Sequence, residues 1–386
     1  MAKLGELGKI ITGNTPKTSD AQNYESNDIC FVKPSDFTDN EITEIHQSKF
    51  YISAYAKDKA RVLPTDGILV TCIGIIGKVA INKVPCAFNQ QINAIIPERK
   101  ICDPRYVAYA IQNVQPQMQN TANAAVVPIL NKTRFSNIEI PLPSLETQKQ
   151  IVEFLDKVTS LISLRKQQLA KLDELVKARF VEMFGDFEVN PKEFPVYHLC
   201  ELCDVGSSKR IYQEEQSISG IPFLKVADLN ELIDTGKYLC STFIPLERYE
   251  QLLHKELTPK ENDILITSRG TLGKCYIVQS DDEFYFQDGM ISWLSNLSPK
   301  VSSIYISYLF AQPYIQKQIE SLQAGSTVAY LSIAMLKKMN VILPPKKLQD
   351  DFATFVEHVD QQKQTVQQSL EKLELMKKAL MQEYFG

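Results

Sequence analysis

No apolar run in this chain approaches the ~20 residues that a membrane-spanning helix requires. The longest candidate, Ile68 to Ile76, is interrupted by Thr71 and Gly74. The first residues show no basic stretch leading into an apolar one, so a cytoplasmic protein with no membrane partner is expected. Histidine is scarce: His46, His198, His254 and His358 are isolated from one another. Eight cysteines are scattered, and only Cys200 and Cys203 have ligand-like spacing, with His198 nearby. A structural zinc needs four ligands and no second close pair exists, so no metal is expected. Positive charge is not in excess either, with 42 Lys and Arg against 46 Asp and Glu, a net charge of −4. Residues 1–143 hold 15 basic and 13 acidic residues, whereas residues 186–343 hold 14 and 20. A uniformly basic, nucleic-acid-coating surface is thereby excluded. Any DNA binding has to come from local patches or lean on a basic partner.

Nucleotide chemistry is missing as well. Gly-x-x-Gly-Lys occurs at Gly74–Lys78 and again at Gly270–Lys274. A P-loop would need glycine where Cys72 and Ser268 stand, and Ser or Thr where Val79 and Cys275 follow the lysines. No Gly-x-Gly-x-x-Gly follows a strand, and no Asn-Pro-Pro-aromatic tetrapeptide of an adenine methyltransferase occurs. No active site is legible.

What is present is a long helical stretch, used twice. From Ser144 to Gly185 apolar residues recur at spacings of three and four: Ile151, Leu155, Val158, Ile162, Leu169, Leu172, Val176 and Met183. Phe154, Leu161 and Leu175 widen that stripe on one side. This pattern predicts an amphipathic helix of ~60 Å with a coiled-coil-like seam. Pro141 and Pro143 block helix before it, and Gly185 ends it. Counting on 201 positions, Pro143 becomes Pro344, Gln148 becomes Gln349, Leu172 becomes Leu373, and Phe184-Gly185 becomes Phe385-Gly386. The second stripe, from Phe352 to Leu380, keeps the same register. Each seam is imperfect, with Arg165 and Arg179 in one and Lys363 and Lys377 in the other, and the two can satisfy each other. One helix leaves a first domain and the other returns from a second, so an antiparallel pair is expected.

The segments between the helices repeat too, at an offset near 195. Ile29–Lys33 matches Ile221–Lys225, each leading into an aspartate, Asp36 or Asp228. Ile68–Lys78 matches Ile264–Lys274 as strand, glycine loop and returning strand. Tyr106–Ile111 and Tyr305–Phe310 read as helices. The loop Thr267, Ser268, Arg269, Gly270, Thr271 offers a bidentate donor and hydroxyls on a glycine bend, which suits base edges and phosphates. Asn89, Gln90 and Gln91, with Gln287 and Asp288, add amides and a carboxylate. Lys209 and Arg210 with Tyr212 form a small basic-aromatic cluster.

On these residues the whole chain resembles the specificity subunit of type I restriction–modification enzymes. The resemblance is carried by Ile140–Ile151 and its echo Val341–Gln349, by Thr267–Gly273, and by Gly13-x-Thr15-Pro16. The first half departs from it with Cys72-Ile73 in place of Ser268-Arg269, and the second with Gly206-Ser207-Ser208 in place of Gly-x-Thr-Pro. The resemblance implies an α+β chain with two repeated α/β target-recognition domains separated by two long helices in an antiparallel coiled coil. The expected bounds are 1–143 and 186–343 for the domains, 144–185 and 344–386 for the helices. It implies a noncatalytic reader of double-stranded DNA with a bipartite target and a fixed gap. Two modification subunits would dock on it, joined by restriction subunits. S-adenosylmethionine, ATP and Mg would sit on those partners, with no cofactor on this chain. The DNA-contacting set expected in the first half is Thr12, Lys17, Lys33, Thr71, Gly74, Lys78, Asn89, Gln90 and Gln91. In the second half it is Lys209, Arg210, Tyr212, Lys225, Thr267, Ser268, Arg269, Thr271, Lys274, Gln287 and Asp288. A coiled-coil adaptor with protein-binding domains is the alternative.

Overall fold

The structure, a computed structural model, describes residues 1–39, 41–122, 128–322 and 329–386. The chain forms two compact units, Met1–Gln167 with Val366–Gly386, and Gln168–Thr365. These are called unit 1 and unit 2.

Unit 1 is built on a five-stranded sheet in the spatial order Gly8–Thr12, Ile92–Pro97, Ile68–Thr71, Val79–Asn82, Thr43–Ile45. The first four strands are antiparallel neighbours and the last is parallel to Val79–Asn82. The two central strands read as unbroken apolar runs because both faces of the sheet are covered. Ile68, Val70, Val79 and Ile81 face the helix Pro104–Asn113 and a core that includes Ile151, Leu155 and Phe385 of the long helices. Leu69, Ala80 and Ala94 point the other way, against Cys30, Val32, Cys86 and Phe88 of a second sheet. That sheet has the order Tyr51–Ile52, Ile29–Val32, Cys86–Phe88, Val62–Leu63.

Unit 2 repeats the plan with four strands, Asp204–Gly206, Ile291–Ser295, Ile264–Thr267 and Cys275–Ile277, backed by Phe243–Ile244, Ile221–Leu224 and Tyr285–Phe286. The strand Thr43–Ile45 has no counterpart among the described residues there. The helices Val226–Thr235 and Leu246–Leu253 occupy the insertions instead. In both units the first backing strand ends in the same device. Lys33 N donates to Asp36 Oδ2 and Lys225 N donates to Asp228 Oδ2, both at 2.8 Å.

The long helices run Leu145–Phe184 and Lys346–Phe385. Gly185 follows the first with φ +84, the left-handed residue that closes a helix end. Each helix starts on a buried glutamine. Gln148 accepts from Asp103 N at 2.9 Å and donates to Ile101 O and Pro143 O. Gln349 accepts from Ser302 N at 2.9 Å and donates to Lys300 O and Pro344 O. Within each unit the two helical segments run in opposite directions. Arg165 bonds Ser369 and Lys166 pairs with Glu374 in unit 1, while Asp173 pairs with Lys363 at 2.7 Å and Arg179 lies over the Phe355 ring in unit 2.

The apolar stripe is narrower than its periodicity suggests. Ile151, Leu155, Val158, Ile162, Leu172, Val176 and Met183 are buried, but Phe154, Leu161 and Leu175 are 56, 44 and 48% exposed. An apolar spacing marks a face, and here part of that face is turned to solvent. Among the described residues no helix is long and apolar enough to cross a membrane.

Candidate nucleic-acid interface

The glycine turn of each unit is fixed by its first threonine. Thr71 and Thr267 are fully buried. Their hydroxyls accept from Lys78 N and Lys274 N, both at 3.0 Å, and their carbonyls accept from Gly77 N and Gly273 N, both at 2.9 Å. The two glycines of each turn have separate reasons. Gly74 and Gly270 (φ +76 and +74) stand at open tips where a Cβ would meet nothing. Gly77 and Gly273 are pressed on a helix, where a Cβ would come within 2.6 Å of Gln115 and 2.7 Å of Ile319. Gly77 and Gly273 also have positive φ (+86 and +78), so Gly-x-x-Gly-Lys is a structural hairpin in which both glycines serve the bend and the second also allows close approach.

In unit 1 the ends of several strands gather around this tip. Cys72 N donates to Gln91 O at 2.8 Å, Thr15 Oγ1 donates to Gln90 Oε1 at 2.6 Å, and Asn14 N donates to Phe88 O at 3.0 Å. Gln90 and Lys17 are exposed, and Gly74 is open. The remaining candidates are engaged within the unit. Asn89 is buried and donates to Gln91 Oε1. Thr12 donates to Asn93 at 2.7 Å. Lys33 lies 3.5 Å over the Phe50 ring. The Lys78 side chain is 14% exposed, and its ammonium is held by Asp39 at 2.6 Å.

In unit 2 Ser207 donates to Ile291 O and Gly289 N donates back to its hydroxyl, which ties the loop after Asp204–Gly206 to the loop before Ile291. Ser268 N donates to Met290 O. Arg269, Thr271, Lys209, Tyr212 and Lys225 are exposed. Arg269 touches only the Met290 sulfur, at 3.6 Å, among the contacts of its guanidinium described. Arg210 is also exposed but paired with Asp288 at 2.9 Å, and Lys274 is held by Asp234 at 2.6 Å. Gln287 is half-buried, its N–H on Leu224 O. Ser268 is buried and bonded to Ser292, so its hydroxyl shapes the turn from beneath.

Neither tip is a hairpin alone. In each unit a third segment pairs with the turn through an isolated antiparallel bridge, Ile73 with Ile129 and Arg269 with Tyr330. Leu130 N donates to Cys72 O, Gly74 N to Pro128 O, and Leu331 N to Ser268 O. Ile129 and Tyr330 are 201 positions apart, so the repeat marks them as equivalent, but no spacing shows which residues they pair with. Among the described residues no group of three or more His, Cys, Asp or Glu could hold a metal ion.

A sequence profile described as "Type I restriction modification DNA specificity domain" matches residues 1–174 and 191–375. The chain is 24% identical over 380 residues to the type I restriction enzyme MjaIX specificity subunit of Methanocaldococcus jannaschii, covering 92% of this chain and 85% of that one. It is 30% identical over 188 residues to the HindI specificity subunit of Haemophilus influenzae, covering 47% and 40%. The crystal structure of the type I restriction–modification S subunit from M. genitalium shares the fold with a TM-score of 0.59 at 14% identity, over 100% of this chain and 95% of that one. The chain belongs to the type I restriction–modification DNA specificity family, and it is a sequence-recognition subunit of such a system.

Proposed function

We propose that each unit reads one half of a split double-stranded DNA target, through residues 1–143 in one and 186–343 in the other. The observation that carries this is the repeated open tip, one glycine turn per unit with polar side chains from separate strands around it. Contacts are assigned to the exposed candidates: Lys17, Gln90 and the Gly74 backbone in unit 1, and Lys209, Arg210, Tyr212, Lys225, Arg269 and Thr271 in unit 2. Thr71, Thr267, Ser268 and Asn89 hold the loops in shape, and phosphate contacts supply much of the affinity.

Residues 144–185 and 344–386 act as an antiparallel coiled coil whose length sets the gap between the half-targets. They also dock two modification subunits. Phe154, Leu161, Leu164, Leu375 and Met376 in unit 1 and Leu175 and Val181 in unit 2 are exposed apolar residues on these helices, the composition expected of a covered face. The chain itself is noncatalytic and binds no cofactor. S-adenosylmethionine, ATP and Mg belong to the modification and restriction subunits, and the assembly works on DNA in the cytoplasm.

Mapping methylated adenines in host DNA tests this. Two short sequences at a constant spacing are expected, and removing whole turns from both helices shortens that spacing. An unchanged spacing would show that the helices are not the ruler. Methylation, ATP hydrolysis or cleavage by the purified chain alone would overturn the noncatalytic assignment.

A further inference from the structure

The bridge at each tip makes two residues, distant in sequence, into one reading element. Ile73 and Ile129 face each other between the bonds from Leu130 N to Cys72 O and from Gly74 N to Pro128 O. This is the non-hydrogen-bonded type of antiparallel pair, in which opposite side chains stand closest and on the same face. Ile73 is partly buried, with one side packed on the core of unit 1, whereas Ile129 is 49% exposed and Ile75, at the turn apex, is 60% exposed. Unit 2 holds Arg269 and the partly exposed Tyr330 at the same two places. Unit 1 therefore offers an apolar platform where unit 2 offers a guanidinium beside a phenol.

The surroundings of the platform are polar. Cys72, its neighbour, is bonded to Gln91, beside the exposed Gln90, and the exposed Lys132 follows Leu130 by two residues. A side chain without donors or acceptors can still distinguish bases in the major groove, where only thymine carries a 5-methyl group. β-Branched side chains on a bridged backbone are held in few rotamers and present a fixed shape.

Resting on the reading of unit 1 as a DNA reader, we infer that Ile73 and Ile129 form an apolar pocket edge that selects thymine by its 5-methyl group. The half-target of unit 1 then contains a thymine at a fixed place, and recognition there needs the methyl rather than a further hydrogen bond. Arg269 and Tyr330 are the matching two-residue reader of unit 2.

The test uses the chain assembled with its modification subunits and duplexes carrying the mapped target. Each thymine is replaced in turn by uracil, which keeps every hydrogen-bonding group and removes only the methyl. One position in one half-target is expected to lose about three- to fivefold in affinity, the scale of one buried methyl. The double variant Ile73→Ala/Ile129→Ala is expected to abolish that sensitivity while the other half-target keeps its discrimination against mismatches. The single variant Ile129→Ser repeats the measurement with the turn itself unaltered. A half-target without thymine, uracil tolerated at every position, or uracil sensitivity surviving in both variants would overturn the inference. A wedge inserted between bases gives the uracil-tolerant result, because unstacking does not require the methyl. Loss of sequence-specific binding altogether in the unsubstituted complex would instead sink the DNA-reading assignment beneath it.

Discussion

In unit 2 the helix Ser303–Phe310 meets the long helices through aromatic rings. Tyr305 stacks on Phe180 at 5.9 Å between centroids and meets Phe184 edge-on at 5.0 Å, and Phe352 closes on both phenylalanines at 5.4 Å. Unit 1 makes the same junction with one ring pair, Tyr106 with Phe385, and an ionic cluster. There Arg105 is bonded to Asp156 at 2.6 Å and to Glu44, and the Tyr109 hydroxyl donates to Asp156 at 2.6 Å. The polar frame is nonetheless the same. The Tyr106 hydroxyl donates to Pro141 O and that of Tyr305 to Ile342 O, acceptors 201 positions apart, and Gln148 and Gln349 repeat bond for bond. What repeats is the set of directional contacts that orient helix against domain. What differs is the filling, where several packings of suitable volume serve.

The largest effect that should separate the two junctions is removal of a central ring. Phe180→Ala deletes a side chain that is 1% exposed and touches four other rings, which should cost unit 2 about 3–5 kcal/mol. Met381, 201 positions on and only partly buried, should cost unit 1 less when truncated to alanine. Denaturant titration with hydrogen exchange resolves the units, and the reverse order would show that the aromatic cluster is not the stronger anchor. The glutamines give the complementary expectation. Gln148→Leu and Gln349→Leu each strand one amide N–H and two carbonyls, so each unit should lose about 1–3 kcal/mol by a similar amount. A clearly unequal pair would mean that the shared frame is shared in geometry only.

Next in size is the contrast at the tips. If Arg269 reads guanine, Arg269→Ala should cost roughly 1–3 kcal/mol on the proper target and relax preference at one position. If it holds a phosphate, all sequences should bind more weakly and the salt slope should fall by about one. Ile73→Ala carries no charge change and should leave the salt slope where it was. Affinities of the assembled methyltransferase for matched and mismatched duplexes at several salt concentrations decide between these. An Arg269→Ala complex unchanged in affinity and slope would reduce the loop to a turn.

The repeat, the helix limits and the strand pairs could be read from the sequence because each rests on local spacing. Ile68–Thr71 with Val79–Asn82, the helix Pro104–Asn113 and the stop at Gly185 are all of this kind. Side-chain direction at the tips was not legible. Thr267 and Ser268 look like donors to a ligand, yet both are buried and serve the hairpin, because a tight turn has backbone groups to satisfy before it can satisfy anything else. The place of Gln148 in the repeat was visible, but not its bonds to Asp103 N and Ile101 O, which reach 45 and 47 residues back. The Ile73–Ile129 bridge was missed for the same reason, since a single pairing across 56 residues leaves no periodicity. Phe154, Leu161 and Leu175 show the converse. Periodicity records that a face is apolar and is silent on whether this chain or another molecule covers it.

The smallest expected contrast is in pH dependence, and its sign differs between the units. In unit 1 burial opposes the charge of Glu44, but Lys83 and Arg105 outweigh it and hold the carboxyl below its ordinary value of 4.5. A lowered folded value means that its contribution is present above 4.5 and is lost as pH falls through the folded value. In unit 2 burial pushes the Asp263 carboxyl above its ordinary 3.8, although Lys260 N and the Trp293 indole N–H both donate to it. A raised carboxyl has the opposite linkage. Its ionisation takes stability from the fold as pH rises from 3.8 through the folded value, and acidification restores it. Unit 1 has Gly67 and Ala94 where unit 2 has Asp263 and Trp293, so it lacks this component. Glu44 is 38% exposed, and screening should keep its effect below about 1 kcal/mol. Between neutral pH and the acid limit, Glu44→Gln should make unit 1 less acid-sensitive. Asp263→Asn should remove a gain that unit 2 otherwise makes as pH falls through the raised folded value towards 3.8. Unit-resolved denaturation midpoints across that range test both, and substitutions that shift the two units in the same direction would break the contrast.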